Sequence, residues 1–251
     1  MSLVARDQLE RGEVRRGGAA RGAAAEFRRL RGDPLLWALL PLALLSGLSM
    51  LATLPPDLGE APTTVVDAIG TALVASVVAG QLMIAAVLGA LGVTVADRTG
   101  MLARTHLYTS AAVVFGARAS STMLVAFVFG AMSAAVVQTV FFATTGQALM
   151  GLGTAVLTAV ASAASGLWGF LIGVLVRNPI LALFVVPATL APGMLLAERM
   201  PEVAESLPLG SMLVLADAGT AEPWTGAALT AGWVLLLCTA TAGVLLRRDR
   251  L

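Results

Sequence analysis

From Ala119 to Val176 the chain runs for 58 residues without one Asp, Glu, Lys or Arg. The average soluble domain carries about 25% charged residues, whereas this 251-residue chain carries 12% charged against 58% apolar. A bilayer is the solvent in which such a block is stable. Crossing its hydrocarbon core of about 30 Å takes roughly 20 mostly apolar residues in a helix, so 58 residues supply two crossings. Thr144, Thr145, Gly146 and Gln147 form the polar break where a hairpin turns.

Four further charge-free stretches flank this one: Pro34 to Pro56, Ala68 to Ala96, Asn178 to Ala197 and Pro223 to Leu246. The sequence therefore predicts an all-α integral membrane protein with six transmembrane helices, at 35–54, 69–95, 119–143, 148–176, 180–197 and 225–246. Six is even, so both ends face one side. With cytoplasmic termini, 15 of the 16 basic residues fall inside and only Arg199 outside, which is the asymmetry that sets orientation. The expected location is the cell membrane, multi-pass.

Outside the spans, residues 1–22 read as a basic cytoplasmic tail, and residues 23–251 as the membrane domain. Ala23 to Arg31 place Phe27 and Leu30 three apart among arginines, the pattern of an amphipathic helix lying at the interface; a solvated charge that only fixes topology is the equal alternative. The apolar run behind this segment exceeds the length of a signal-peptide h-region. Pro41, Pro187 and Pro192 lie inside spans, and a bend is expected at each unless neighbours satisfy the freed carbonyls. Leu207 to Leu215 is apolar but too short to cross, and predicts an outer helix or re-entrant segment between spans five and six.

All 16 basic residues are Arg. Without Lys the chain has no GxxxxGK[ST] phosphate loop and no Schiff-base amine, so ATP-driven work requires the ATPase on another polypeptide. One Cys and one His cannot make a zinc site or an intrachain disulfide. The near-zero net charge argues against nucleic acid. No ionisable residue falls inside a predicted span, which disfavours ion coupling and intramembrane catalysis. Ser120, Ser162 and Ser165 have no base within the spans to activate them. No catalytic residue, metal or cofactor is expected, and the protein reads as a non-enzyme.

Gln81 and Gln138 are the candidate path-lining residues, with hydrogen bonding between helices as the commoner role of such groups. The GxxxG of Gly169 to Gly173 permits close helix approach within or between subunits. Asp97 to Arg118 is the longest interior segment, carrying Arg98, Gly100, Leu102, Arg104, His106, Leu107 and Tyr108.

The order of these features resembles the permease subunits of ABC-2 type transporters. The matching stretches are Glu26 to Pro34 leading into a span with Pro41, Asp97-Arg98-Thr99-Gly100, Leu207 to Ser211, and Arg247 to Leu251. The chain departs from the family at the coupling segment: Asp97 stands for a Glu, Met101 for a Thr, Thr109 and Ser110 for the Pro region, and Arg118 for a Lys. The resemblance implies the membrane half of an exporter, with a separate ABC ATPase subunit and a second permease copy or paralogue. It assigns ATPase coupling to Asp97, Arg98, Gly100, Leu102, Arg104, Leu107, Tyr108 and Arg118, with Leu102, Leu107 and Tyr108 as buried anchors of the kind that dominate interface energy. The charge-free interior suits an amphipathic or hydrophobic cargo such as a drug, an antibiotic or a lipid-like molecule. The alternative is a non-transporting membrane scaffold or immunity protein.

Overall fold

A computed structural model describes residues 61–99 and 111–248, together with the isolated positions Arg28, Pro41, Leu45 and Leu58. The basic tail, the amphipathic helix and the first span fall outside the described residues, apart from Arg28, Pro41 and Leu45, which are helical and exposed.

Every regular element among the described residues is helical: α1 Thr63–Arg98, α2 Ala111–Thr145, α3 Leu152–Val176, α4 Pro179–Leu196, α5 Pro201–Ser206, α6 Pro208–Leu215 and α7 Pro223–Arg248. Five of these, all but α5 and α6, are long and apolar enough to cross a membrane. At 1.5 Å per residue, the 36 residues of α1 and 35 of α2 extend over about 50 Å each. Both therefore project well beyond a hydrocarbon core of about 30 Å.

The centre of the molecule is α3, which packs along α1 and α2 and also touches α4, α6 and α7. Its small residues explain why. A Cβ at Gly169 would overlap the carbonyl oxygen of Ala86, and one at Gly89 would overlap that of Gly166. Helices approach this closely only where no side chain intervenes. The contacts advance in step, with Gln81 against Ser162, Leu82 against Ser165, Ala86 against Gly169 and Ala90 against Gly173, so α1 and α3 run parallel. Helix α2 lies antiparallel to both, as Ala126 meets Gly166 while Phe115 packs edge-on against Phe170 at 5.2 Å. The GxxxG of residues 169 to 173 thus serves packing within the chain.

Polarity is inverted relative to a soluble bundle. Gln81, Ser162, Ser165, Ser211 and Thr230 are buried, whereas Phe184, Leu195, Leu235 and Leu236 are exposed, at 71%, 76%, 64% and 58%. Outward apolar faces on this scale need lipid around them. Helix α4 continues unbroken through Pro187 and Pro192, so the bend expected there does not break the helix. Its start is fixed by Asn178, whose Oδ1 accepts from the backbone N–H groups of Ile180 and Leu181.

Replacing Gly169 by Ala drives a methyl group into the Ala86 carbonyl and is expected to cost about 1–3 kcal/mol or more. Gly153, whose added Cβ would meet nothing within 4 Å, gains roughly 0.5–1 kcal/mol of helix stability as Ala. Unfolding of the two variants in detergent, followed by helical circular dichroism, should give opposite shifts from the parent chain.

Candidate functional site

Two regions hold the residues expected to matter: the end of the bundle where α1 and α3 finish and α2 begins, and the polar side chains between the helices. At the first, Asp97 and Arg98 belong to the last turn of α1 rather than to a loop. Arg98 is exposed and Asp97 partly buried. Across from them, α3 ends at Arg177, which takes the left-handed conformation (φ 54°) and donates its N–H to the Gly173 carbonyl at 2.8 Å. Arg177 Nε lies 4.0 Å from Asp97 Oδ2, tying the ends of the two parallel helices by a half-exposed pair worth about 0–1 kcal/mol.

Helix α2 begins at Ala111, eight residues before the span boundary drawn from charge alone. Arg118 consequently sits inside a helix and is buried, at 3% exposure, instead of marking the end of a loop. It lies roughly 10 Å from the start of a helix of about 50 Å. Gly100, Leu102, Arg104, Leu107 and Tyr108, along with His106, lie outside the described residues. Of the expected coupling set, the structure places Asp97 and Arg98 together at the end of α1 and Arg118 on α2.

The two glutamines have different surroundings. Gln81 is buried between α1 and α3, and its Nε2 donates to Ser162 Oγ at 3.0 Å. Ser162 in turn donates to the Thr158 carbonyl at 2.8 Å, and Ser165 Oγ donates to the Leu82 carbonyl at 2.6 Å. These serines are engaged in holding helices together. Gln81 Oε1 and Thr158 Oγ1 are buried without a hydrogen-bond partner among the described residues. Gln138, near the other end of α2, accepts the Met150 N–H on Oε1 at 2.9 Å, which organises the turn into α3. It also faces a cleft of about 430 Å³ between α2 and α3, lined otherwise by apolar residues and backbone. The structure therefore does not bring Gln81 and Gln138 together. Nothing in the spacing of these residues marked the backbone acceptors at Leu82 and Thr158, because a carbonyl has no sequence signature.

At the end of the molecule away from Asp97 and Arg177, α6 is inserted among helices, with Leu209, Ser211, Met212 and Val214 buried. A web of hydrogen bonds holds this region: Trp233 Nε1 donates to the Ser206 carbonyl, Thr230 Oγ1 to Ser211 Oγ, and the Thr220 N–H and Oγ1 both to Glu205 Oε1. Thr154 Oγ1 donates to Asp217 Oδ2 and joins the segment to the start of α3. No group of three or more His, Cys, Asp or Glu residues able to hold a metal occurs among the described residues.

Helix lengths, continuous apolar surfaces and buried polar contacts define a multi-pass helical membrane protein. Comparison with protein-family models, with curated proteins and with solved structures gives no match.

Gln81→Met should change stability by no more than about 1 kcal/mol. The substitution removes an interhelical hydrogen bond worth about 0.6–2 kcal/mol, but it also removes a buried carbonyl oxygen whose desolvation costs about 1–3 kcal/mol. Thermal unfolding in detergent checks this near-cancellation.

Proposed function

We propose that the protein is the permease subunit of an ATP-driven ABC exporter, moving an amphipathic or hydrophobic cargo across the cell membrane with energy from a separate ATPase. One observation carries the reading furthest. The segment between Asp97 and Arg118 joins two helices of about 50 Å that both pack along α3, and Arg177 at the end of α3 stands beside Asp97. A push applied to that segment is thereby passed to three helices at once, which is what an external motor needs from its membrane partner. The Arg asymmetry supports a cytoplasmic position for this end and for both termini, on the side where ATP is.

In this reading a sixth span precedes α1 on the N-terminal side, and α5 and α6 stand on the outer face between the last two spans. Two permease copies, or one with a paralogue, enclose the path. Leu102, Leu107 and Tyr108 fill a groove on the ATPase, with Arg98 and Arg104 paired to its acids.

Copurification from membranes tests the assignment. The tagged chain should retain an ATPase bearing a phosphate-binding Lys loop, and the double variant Leu107→Ala, Tyr108→Ala should release it while membrane insertion stays intact. Retention of the ATPase at parental level by that variant rejects the docking role, and absence of any ATPase from the parent complex rejects the function. Orientation has its own measurement. In a Cys238→Ser background, a cysteine at Glu202 should react with an impermeant thiol reagent added outside cells, and one at Arg177 should react only after permeabilisation.

A further inference from the structure

The cleft between α2 and α3 has a direction. Its rim is formed by Gln138 on α2 with Met150 at the turn into α3, and its far end by Phe127 and Ala159. Residues 127 and 138 are separated by about 16 Å along the helix axis, which matches the depth of one leaflet, about half of the 30 Å hydrocarbon core. The walls between carry small side chains, with Ala131, Ala134 and Ala135 on α2 and Ala155 on α3 among the lining residues. No ionisable side chain lines it, so a charged ligand has no counter-ion there.

Gln138 gives the rim its chemistry. Its Oε1 is committed to the Met150 N–H, which fixes the amide so that Nε2, a two-proton donor, forms no hydrogen bond among the described residues. A donor without a partner near the polar edge of a bilayer calls for a neutral acceptor, and below it lies a slot one leaflet deep for an unbranched apolar chain. We infer that this cleft is a binding site for one acyl chain of a glycerolipid, with Gln138 Nε2 donating to the ester carbonyl and the tail lying between α2 and α3 down to Phe127. The inference is independent of the transport reading, since a resident lipid here needs no ATPase.

The test uses the full chain in phosphatidylcholine vesicles doped with a phosphatidylcholine that carries a photoreactive diazirine in its acyl chain. After irradiation, peptide mass spectrometry locates the adducts. Adducts on the cleft residues should exceed those on Phe184 and Leu195 of α4, two strongly exposed side chains, by at least fivefold. Ala135→Trp, and separately Ala155→Phe, should remove the cleft adducts and leave those on α4 unchanged, which also reports that the variant is folded. A third arm needs no substitution: when the diether analogue, which lacks the carbonyl, replaces the diester phosphatidylcholine as host lipid, it should compete less well, and cleft adducts relative to those on α4 should rise at least threefold. Equal labelling of cleft and α4, or cleft adducts that survive both substitutions in folded protein, overturns the site. Equal competition by the diether overturns the assignment of Gln138 to the ester.

Discussion

The carbonyl oxygen of Ala86 occupies the space in which any side chain at residue 169 would stand. That contact, repeated one turn on by Gly89 against Gly166, sets the separation of α1 and α3, and the remaining helices are arranged around the pair. In lipid there is no hydrophobic drive to bring helices together, and close packing with a few hydrogen bonds must do it. The Gln81–Ser162 and Ser165–Leu82 bonds fall on the same seam as the glycines, so dispersion and hydrogen bonding act at one interface. Helix α2 then closes against both, with Ala126 over Gly166.

From this seam follows the gradient of burial across the molecule. Helix α3, contacted on several sides, hides Phe170, Leu171 and all of its polar side chains but the outermost. Helices α4 and α7 are covered on one side only and present Phe184, Leu195, Leu235 and Leu236 outward. Edge-on contact between Trp168 and Trp233, 6.4 Å between ring centres, with their indole N–H groups directed to Thr189 and the Ser206 carbonyl, fastens those two peripheral helices to the centre. The rings supply apolar contact area while their single donors stay satisfied.

Much of this was legible in the charge pattern. The charge-free stretches from Ala68 onward correspond to the five long helices, two of them in the 58-residue stretch, and the break at Thr144 to Gln147 is the observed turn, with Gly146 at φ 71°. Charge located the ends of α2 less well. Ala111 to Ala117 is apolar and contains no proline, so nothing stops the helix from running back through Arg118, and a boundary drawn at a charged residue fell eight residues late. The GxxxG announced a close approach without naming its partner, because the partner is the backbone around Ala86, where the sequence shows only another alanine. Gln138 was visible as a polar residue in a span. Its bond to a backbone N–H beyond the turn depends on a register that no local pattern encodes.

Arg177 places a bulky β-carbon in the left-handed region, where a non-glycine residue costs roughly 1–2 kcal/mol and where helices commonly end in glycine. Yet it is the lone basic residue between Arg118 and Arg199. The turn that joins α3 and α4 therefore carries a single positive charge, and positive charge beside a short turn is what biases the side of a membrane on which it stays. Glycine would satisfy the backbone and leave that turn uncharged; arginine strains the backbone and keeps the charge. The fold is thus slightly less stable at this turn than glycine would make it, by the roughly 1–2 kcal/mol that separates the two residues in that conformation, and what it keeps is the charge.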